Sequence, residues 1–293
     1  MLIGNQLTLG TAKLGMPAYG YSDGYALADP VNFILRSLSR GIRFIDTSPR
    51  YGNSEELIGK ALNLSKKKPS VSTKIDNLVS KSGNTPNSMI KSIKESISKL
   101  NTPIDICYLH QNDIEIISDK YVHEGIKALK NSNLVKEVGT SVYSQEELIY
   151  SLDCGIYDWV QMPVNILDTS FYRIASNHVS EAKIAARSVF LQGVIFNDER
   201  ARMNIKDHNE LLDTLDQLRR LGSDFGITIQ QLSVAYLSSL ENINQIIVGT
   251  ISDDKLSENM ASIKIQLDKS LIASIEKIAA KSKPWSNPRS WKL

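Results

Sequence analysis

Short apolar runs alternate with helical patterns along the chain. The runs predict eight β-strands, at residues 6–11, 43–47, 70–75, 104–110, 135–141, 158–164, 188–193 and 244–250. Between the strands, apolar residues recur every three or four positions, as on the buried face of a helix. Examples are Val31, Ile34, Leu35 and Leu38, then Ile90, Ile93, Ile97 and Leu100, then Leu211, Leu215 and Leu218. Asp29-Pro30 and Thr85-Pro86 have the composition of helix starts.

Eight strands alternating with helices favour a closed parallel (β/α)8 barrel, the TIM barrel, over an open sheet. We expect this α/β barrel to form a single domain over residues 1–293. An open, doubly wound sheet remains the alternative, but its G-x-G-x-x-G fingerprint is absent, and LGTAKLG stands after the first strand instead. In a barrel the loops at the carboxyl ends of the strands gather on one face, so any chemistry is expected there.

Composition and charge exclude several classes of protein. Apolar residues make up 42% and charged residues 23%, as in an ordinary globular protein. The net charge of +2, from 34 basic and 32 acidic residues, gives no reason to expect nucleic acid or an anionic membrane as a partner. Cys107 and Cys154 lack metal-ligand spacing, and no apolar run approaches the roughly 18 residues of a membrane span. We therefore expect a cytoplasmic protein without a metal, either a monomer or a weak oligomer.

Polar side chains end three consecutive predicted strands. Asp46, Lys74 and His110 would meet at one rim of a barrel, and Tyr51 follows in the loop after the second strand. We expect a lysine beside the phenol to lower its pKa from about 10, an aspartate to hold the lysine, and a histidine to orient a carbonyl. That set suits a phenolic general acid in carbonyl reduction, with hydride from a cofactor. Each residue alone is readily explained as structural, but their joint placement favours catalysis.

Residues 41–62, GIRFIDTSPRYGNSEELIGKAL, resemble the signature of the aldo-keto reductase family, with its Gly, Arg, Asp, Tyr and Glu positions in register. The resemblance runs from LGTAKLG, residues 9–15, to the last helix. It implies a TIM barrel, a nicotinamide cofactor and a small-molecule carbonyl substrate. It also implies a catalytic tetrad: Asp46, Tyr51, Lys74 and His110.

The resemblance further implies a set of cofactor-binding positions. Ser141 and Gln161 match the residues that hold the nicotinamide carboxamide, whereas Val142 replaces the usual asparagine. Arg187 replaces the usual aromatic ring, so we expect its guanidinium to stack on the nicotinamide, with a salt bridge to a nearby acid as the alternative. The complete set is Gly10, Thr11, Ser141, Gln161, Arg187, Gly249, Thr250, Ser252, Lys255, Glu258 and Asn259.

Residues 248–260, VGTISDDKLSENM, resemble the turn and helix that bind the adenosine end of the cofactor in this family. Two groups of residues would face the 2′-phosphate and the adenine respectively: Thr250, Ser252 and Lys255, then Glu258 and Asn259. Hydroxyls and a cation at a helix N-terminus suit an anion, so NADPH is expected over NADH. A simple helix cap is the alternative role for Ser252. Asp253 and Asp254 would repel a phosphate unless they turn outward.

The sequence thus predicts an NADPH-dependent reductase of an aldehyde or ketone. A nucleotide-binding regulatory protein with little turnover, similar to channel-associated relatives of the family, is the alternative, and the complete tetrad favours the enzyme. The loops near 15–25, 111–122 and 193–208 are comparatively polar, which favours a sugar or another polar carbonyl as substrate. The terminal segment 283–293, which holds two tryptophans, is expected either to pack across the barrel or to form a disordered tail.

Overall fold

Eight parallel strands form a closed barrel in which each strand pairs with its neighbours in chain order. The computed structural model of the chain describes residues 7–19, 26–111, 113–206, 208–279 and 291. The strands are β1 (Leu7–Gly10), β2 (Phe44–Asp46), β3 (Ser70–Ile75), β4 (Ile104–Leu109), β5 (Val135–Ser141), β6 (Trp159–Pro163), β7 (Lys183–Arg187) and β8 (Ile243–Gly249). The predicted (β/α)8 barrel is confirmed.

Helices connect the strands. They are α1 (Ala12–Gly15), α2 (Pro30–Arg40), α3 (Ser54–Leu64), α4 (Thr85–Leu100), α5 (Ile114–Ile117), α6 (Lys120–Asn131), α7 (Gln145–Asp153), α8 (Ser170–Ser176), α9 (Asp198–Asn204), α10 (His208–Asp224), α11 (Ile229–Ser239), α12 (Asp253–Ser262) and α13 (Lys269–Ile278). A 3-10 helix, Leu191–Phe196, lies between β7 and α9. The predicted start of α2 is confirmed, because the Asp29 side chain accepts a hydrogen bond from the backbone N–H of Asn32.

Strand β7 corrects the sequence prediction. The predicted strand 188–193 is a loop leading into the 3-10 helix, in which Ser188, Leu191 and Gln192 have left-handed φ angles of 60°, 46° and 52°. The run is apolar because Val189 and Leu191 are buried by tertiary packing. The true strand has a weak apolar signal, since its centre is Ala185-Ala186. Arg187 therefore ends β7, at the rim where the site was expected, and does not begin it.

Two apolar clusters lie on opposite sides of the strands. The larger one packs the barrel against its helices, and each leucine or isoleucine fully buried there stabilises the fold by roughly 1.5–3 kcal/mol. The smaller one fills the barrel interior and consists of Ile106, Tyr108, Trp159, Ala185 and Ile247. Of the terminal segment 283–293, only Trp291 lies within the described residues, and it is buried. The predicted packing of the rest of that segment lies outside the described residues.

Gly139 of β5 makes room for the interior cluster. A Cβ atom there would lie 2.6 Å from the carbonyl oxygen of Trp159 and 2.7 Å from Cδ1 of Tyr108, closer than carbon atoms approach in proteins. The two aromatic rings can fill the barrel interior only because this strand has no side chain at that point.

Gly139→Ala is expected to lower the free energy of unfolding by about 1–3 kcal/mol, the scale of overpacking a core. Urea unfolding followed by circular dichroism measures the change. Gly83→Ala is the matched control, because a Cβ atom there would have its nearest neighbour, Cε1 of Tyr121, at 3.8 Å. Equal stability of the two variants would contradict the tight packing at Gly139.

Candidate active site

A cavity of about 930 Å³ opens at the carboxyl ends of the strands. Asp46 ends β2, Lys74 lies in β3 next to its last residue, and His110 directly follows β4. Tyr51 lies in the turn before α3. All four side chains line the cavity, so the closed barrel brings the predicted tetrad residues together.

A buried ion pair forms the floor of this cavity. Lys74 Nζ lies 2.7 Å from Asp46 Oδ2, and the two residues are only 1% and 3% exposed. Lys74 also donates to the backbone carbonyl of Thr47 at 2.8 Å. Asp46 Oδ1 accepts from Ser72 Oγ at 3.0 Å and from Gln161 Nε2 at 3.1 Å. Each buried charge is thus compensated by the opposite charge and by further hydrogen bonds, as such groups require.

The Tyr51 turn is held against α1 by close backbone contact. A Cβ atom at Gly15 would lie 1.7 Å from the carbonyl oxygen of Tyr51, so only glycine allows this approach. The Tyr51 ring lies 5.0 Å from Lys74 Nζ and meets the His110 ring edge-on at 6.0 Å. The phenol is therefore fixed among the other members of the tetrad.

Burial raises the pKa of Tyr51 well above its ordinary value, and the nearby charge of Asp46 raises it further. The expectation that Lys74 lowers this pKa is wrong for this structure. The Lys74 ammonium lies over the ring, and its protons point to Asp46 and Thr47. The cation that lowers the Tyr51 pKa is Arg187. The phenol consequently holds its proton at neutral pH.

Ser48 is a site residue that was not among the residues predicted from the sequence. Its Oγ lies 3.2 Å from Nδ1 of His110, and it also accepts from the backbone N–H of Arg50 at 3.2 Å. Ser48 is fully buried, so this contact fixes the orientation of the imidazole ring. The only signal in the sequence is its place between Asp46 and Tyr51.

A chain of hydrogen bonds leads from Asp46 to the end of β7. Gln161 Nε2 donates to Asp46, and Gln161 Oε1 accepts from Ser141 Oγ at 3.3 Å. Ser141 Oγ in turn accepts from Nε of Arg187 at 3.3 Å. Ser141, Gln161 and Arg187 all line the cavity. They are the residues that the sequence predicted for the nicotinamide end, whereas Val142 is buried in the outer apolar cluster.

Arg187 stacks on a tyrosine that the sequence reasoning missed. Its Cζ lies 3.8 Å from the ring centre of Tyr143, which follows β5 and also lines the cavity. Within the part of the chain that the structure describes, the hydrogen-bond partners of the guanidinium are neutral, so the alternative of a salt bridge to a nearby acid is not found there. Tyr143 could not be found from spacing, because its partner lies on a distant strand.

The predicted phosphate end lies at the start of α12. Gly249, Thr250, Ser252 and Lys255 line the same cavity. Ser252 caps the helix by accepting from the backbone N–H of Lys255 at 3.3 Å, as the capping alternative predicted. Asp253 turns away from the cavity and is bound by Arg36, at 2.8 Å, and by Arg40. One of the two acids predicted to repel a phosphate, Asp253, is therefore paired with arginines of α2, and the other, Asp254, does not line the cavity either.

Of the four remaining residues predicted to bind the cofactor, three line the cavity and one does not. Gly10 and Asn259 line the cavity, and Asn259 Oδ1 accepts from Gln230 Nε2 at 3.0 Å. Thr11 also lines it, but its hydroxyl donates to the Asp46 carbonyl at 2.9 Å and accepts from Ser54 at 2.8 Å. Glu258 lies outside the cavity wall, where it accepts from the Thr228 hydroxyl at 2.9 Å.

The described residues that line the cavity carry an excess of positive charge. Six are basic and two are acidic: Lys13, Arg50, Lys74, Arg187, Arg200 and Lys255, against Asp46 and Asp168. Across the part of the chain that the structure describes, no three His, Cys, Asp or Glu side chains are grouped to hold a metal ion. Nor does any described helix combine the length and apolarity needed to cross a membrane.

Comparison with known proteins gives a family match over most of the chain. The aldo/keto reductase family model matches residues 6–280. D-arabinose 1-dehydrogenase of Saccharomyces cerevisiae is 26% identical over 275 residues, 85% of this chain and 80% of that protein. A probable voltage-gated potassium channel subunit beta of Oryza sativa is 21% identical over 268 residues, 77% of this chain and 79% of that protein. The solved glycerol dehydrogenase of Gluconobacter oxydans shares the fold, with a TM-score of 0.74, 21% identity and 96% of both chains covered.

Removal of one charge from the buried pair is expected to destabilise the protein strongly. Lys74→Met leaves the Asp46 carboxylate buried and unpaired, which costs about 3–5 kcal/mol of unfolding free energy. Lys74→Met combined with Asp46→Asn should recover part of that loss, because no buried charge remains. Urea unfolding measures both variants.

The control for this prediction is the exposed pair of Lys91 and Glu95, whose side chains are 80% and 63% exposed. Lys91→Met should cost less than about 1 kcal/mol. A Lys74→Met protein as stable as the Lys91→Met protein would show that the buried ion pair does not stabilise the folded protein.

Proposed function

Because the chain belongs to the aldo/keto reductase family, we propose that it is an NADPH-dependent carbonyl reductase with Tyr51 as proton donor. Members of this family reduce carbonyl groups with a nicotinamide cofactor. The observation that supports the proposal most directly is the placement of Tyr51 beside the buried Asp46–Lys74 pair and His110 in one cavity.

The residues of the cavity fit a dinucleotide. A volume of about 930 Å³ is at the upper end of the range for small-molecule sites. The excess of basic residues matches the phosphates of NADPH, and Lys255, Thr250 and the α12 N-terminus would hold its 2′-phosphate. Ser141, Gln161 and Arg187 would hold the nicotinamide. When bound, the cofactor supplies the hydride.

The tetrad supplies the proton. Tyr51 keeps its proton in the buried site and donates it to the carbonyl oxygen of the substrate. The phenolate that remains is stabilised by the charge of Arg187, the cation that lowers the Tyr51 pKa. Asp46 holds Lys74 in place, and His110, whose ring Ser48 orients, directs the carbonyl by hydrogen bonding.

A polar carbonyl compound such as a sugar is the proposed substrate class. Uncharged polar residues and three phenylalanines are among the residues that line the cavity: Asn165, Gln192, Asn197, Phe171, Phe190 and Phe196. The names of two of the similar proteins refer to D-arabinose and to glycerol, both of which carry several hydroxyl groups. A wall of amide side chains and aromatic rings suits such compounds, since amides bond the hydroxyls and rings cover the carbon skeleton.

A nucleotide-binding regulatory role is the second candidate. It is favoured by the similarity to proteins named as probable potassium channel subunits. The complete tetrad argues for the enzyme, since a protein that only binds the nucleotide gains nothing from a buried lysine and aspartate under a cavity tyrosine.

Tyr51→Phe tests the proton donor. The variant is expected to lose roughly 100-fold or more in turnover, the scale of general acid catalysis, because the proton donor is missing. NADPH binding should stay nearly normal. Tyr121→Phe, on α6, is the control and should keep full turnover. A Tyr51→Phe enzyme with the turnover of the native protein would remove Tyr51 from the mechanism.

Lys255→Ala tests the cofactor preference. The variant should weaken NADPH by on the order of 1–3 kcal/mol, the scale of a hydrogen bond to a charged group, and leave NADH nearly unchanged. NADH lacks the 2′-phosphate that the ammonium would contact. Fluorescence titration measures both affinities, with Lys269→Ala, an exposed lysine of α13, as the control. An equal loss for both cofactors would rule out Lys255 as a phosphate ligand.

A further inference from the structure

Three polar contacts and one ring fix the guanidinium of Arg187. Nε donates to Ser141 Oγ at 3.3 Å and Nη2 donates to the Val142 carbonyl at 2.8 Å, so one side of the planar fork is bound to the end of β5. Nη1 donates to Ser188 Oγ at 3.3 Å. The Tyr143 ring covers one face at 3.8 Å. A side chain held in this way has a defined orientation and little rotamer entropy left to lose when a ligand binds.

The fork keeps donors for a ligand. A guanidinium carries five N–H groups, and the three bonds above use one on each nitrogen. The two that remain belong to Nη1 and Nη2, and Arg187 lines the cavity. Its partners among the described residues are three neutral oxygens and an aromatic face, so none of the described carboxylates compensates its positive charge. An oxygen acceptor is what this group still lacks.

The residues beside Arg187 indicate which ligand group would accept its hydrogen bond. Ser141 and Gln161 are the residues proposed to hold the nicotinamide carboxamide, yet the Ser141 proton is directed to Gln161 Oε1. One N–H of Gln161 is likewise directed to Asp46. The Ser141 hydroxyl proton and one N–H of Gln161 are therefore already donated to protein acceptors. Val142 has an apolar side chain and cannot donate a hydrogen bond to the carboxamide. Arg187 is the adjacent side chain with N–H groups to spare.

We propose that Arg187 donates a hydrogen bond to the carboxamide oxygen of the nicotinamide, and that Tyr143 is its positioning residue. This inference rests on the proposed function. It replaces the flat stacking expected from sequence. A guanidinium stacked on the ring would repel the cationic oxidised nicotinamide. Donation at the carboxamide favours the oxidised and the reduced cofactor alike.

The test uses two dinucleotides that differ only at the carboxamide: NADP⁺ and its nicotinic acid analogue, which carries a carboxylate there. Dissociation constants are measured by fluorescence titration of the full chain without substrate. For the native protein, the carboxylate analogue should bind at least as tightly as NADP⁺, because a guanidinium bonds a carboxylate more strongly than an amide. In Arg187→Met the affinity for the carboxylate analogue, relative to the affinity for NADP⁺, should fall by roughly 10-fold or more.

Further variants distinguish the effect of where the Arg187 guanidinium is held from the effect of its positive charge. Arg220→Met removes an exposed arginine of α10 and should leave the preference unchanged. Tyr143→Leu should reduce the preference, and Tyr143→Phe, which keeps the ring, should retain it. Arg187→Lys keeps the charge but loses the planar fork, so it should restore only part of the preference.

Each remaining outcome overturns the inference. An unchanged preference in Arg187→Met, with normal NADP⁺ binding, would show that Arg187 does not contact the carboxamide, and the proposed function would stand. A shift in the ratio of NADPH to NADP⁺ affinity alone would instead support flat stacking. A loss confined to the KM of carboxylate-bearing substrates would place Arg187 on the substrate. Failure of the native protein to bind any dinucleotide would overturn both this inference and the proposed function.

Discussion

The ammonium of Lys74 and the carboxylate of Asp46 share a space from which water is almost excluded. Removing such charges from water costs several kcal/mol for each ion, and only a precise set of partners offsets that cost. Ser72, Gln161 and the Thr47 carbonyl supply those partners. They come from β3, β6 and the loop after β2, so the pair is stable only when the closed barrel holds these strands in register.

The need of this buried ion pair for polar partners also determines how the rest of the cavity is arranged. The apolar rings of Tyr108 and Trp159 lie inside the barrel, and the polar residues form a layer at the carboxyl ends of the strands. Gln161 extends this layer through Ser141 to Arg187, so a change at the end of β7 is linked by hydrogen bonds to the ion pair. The phenol of Tyr51 lies beside the pair in a partly buried position, and the resulting loss of water raises its pKa, so that it is protonated at neutral pH.

The fold, and the meeting of the four predicted tetrad residues in one cavity, could be predicted from the sequence because the strands and the polar residues near their ends follow local patterns. Apolar runs located seven strands to within one residue, and polar residues at strand ends marked one rim. Strand β7 was missed because its alanines gave a weak signal while a buried loop beside it gave a strong one. Contacts across strands, such as Tyr143 on Arg187 and Ser48 on His110, have no pattern in the sequence. The high pKa of Tyr51 arises from burial, which spacing does not reveal.

We propose that this cavity reduces a carbonyl group with NADPH. The most direct measurement is the loss of NADPH absorbance when the purified native protein is mixed with a panel of polar aldehydes and ketones, with the alcohol product quantified in parallel. We expect steady, carbonyl-dependent NADPH consumption, with one alcohol molecule formed for each NADPH oxidised. Tight NADPH binding without turnover across the panel would contradict it and would support the regulatory role.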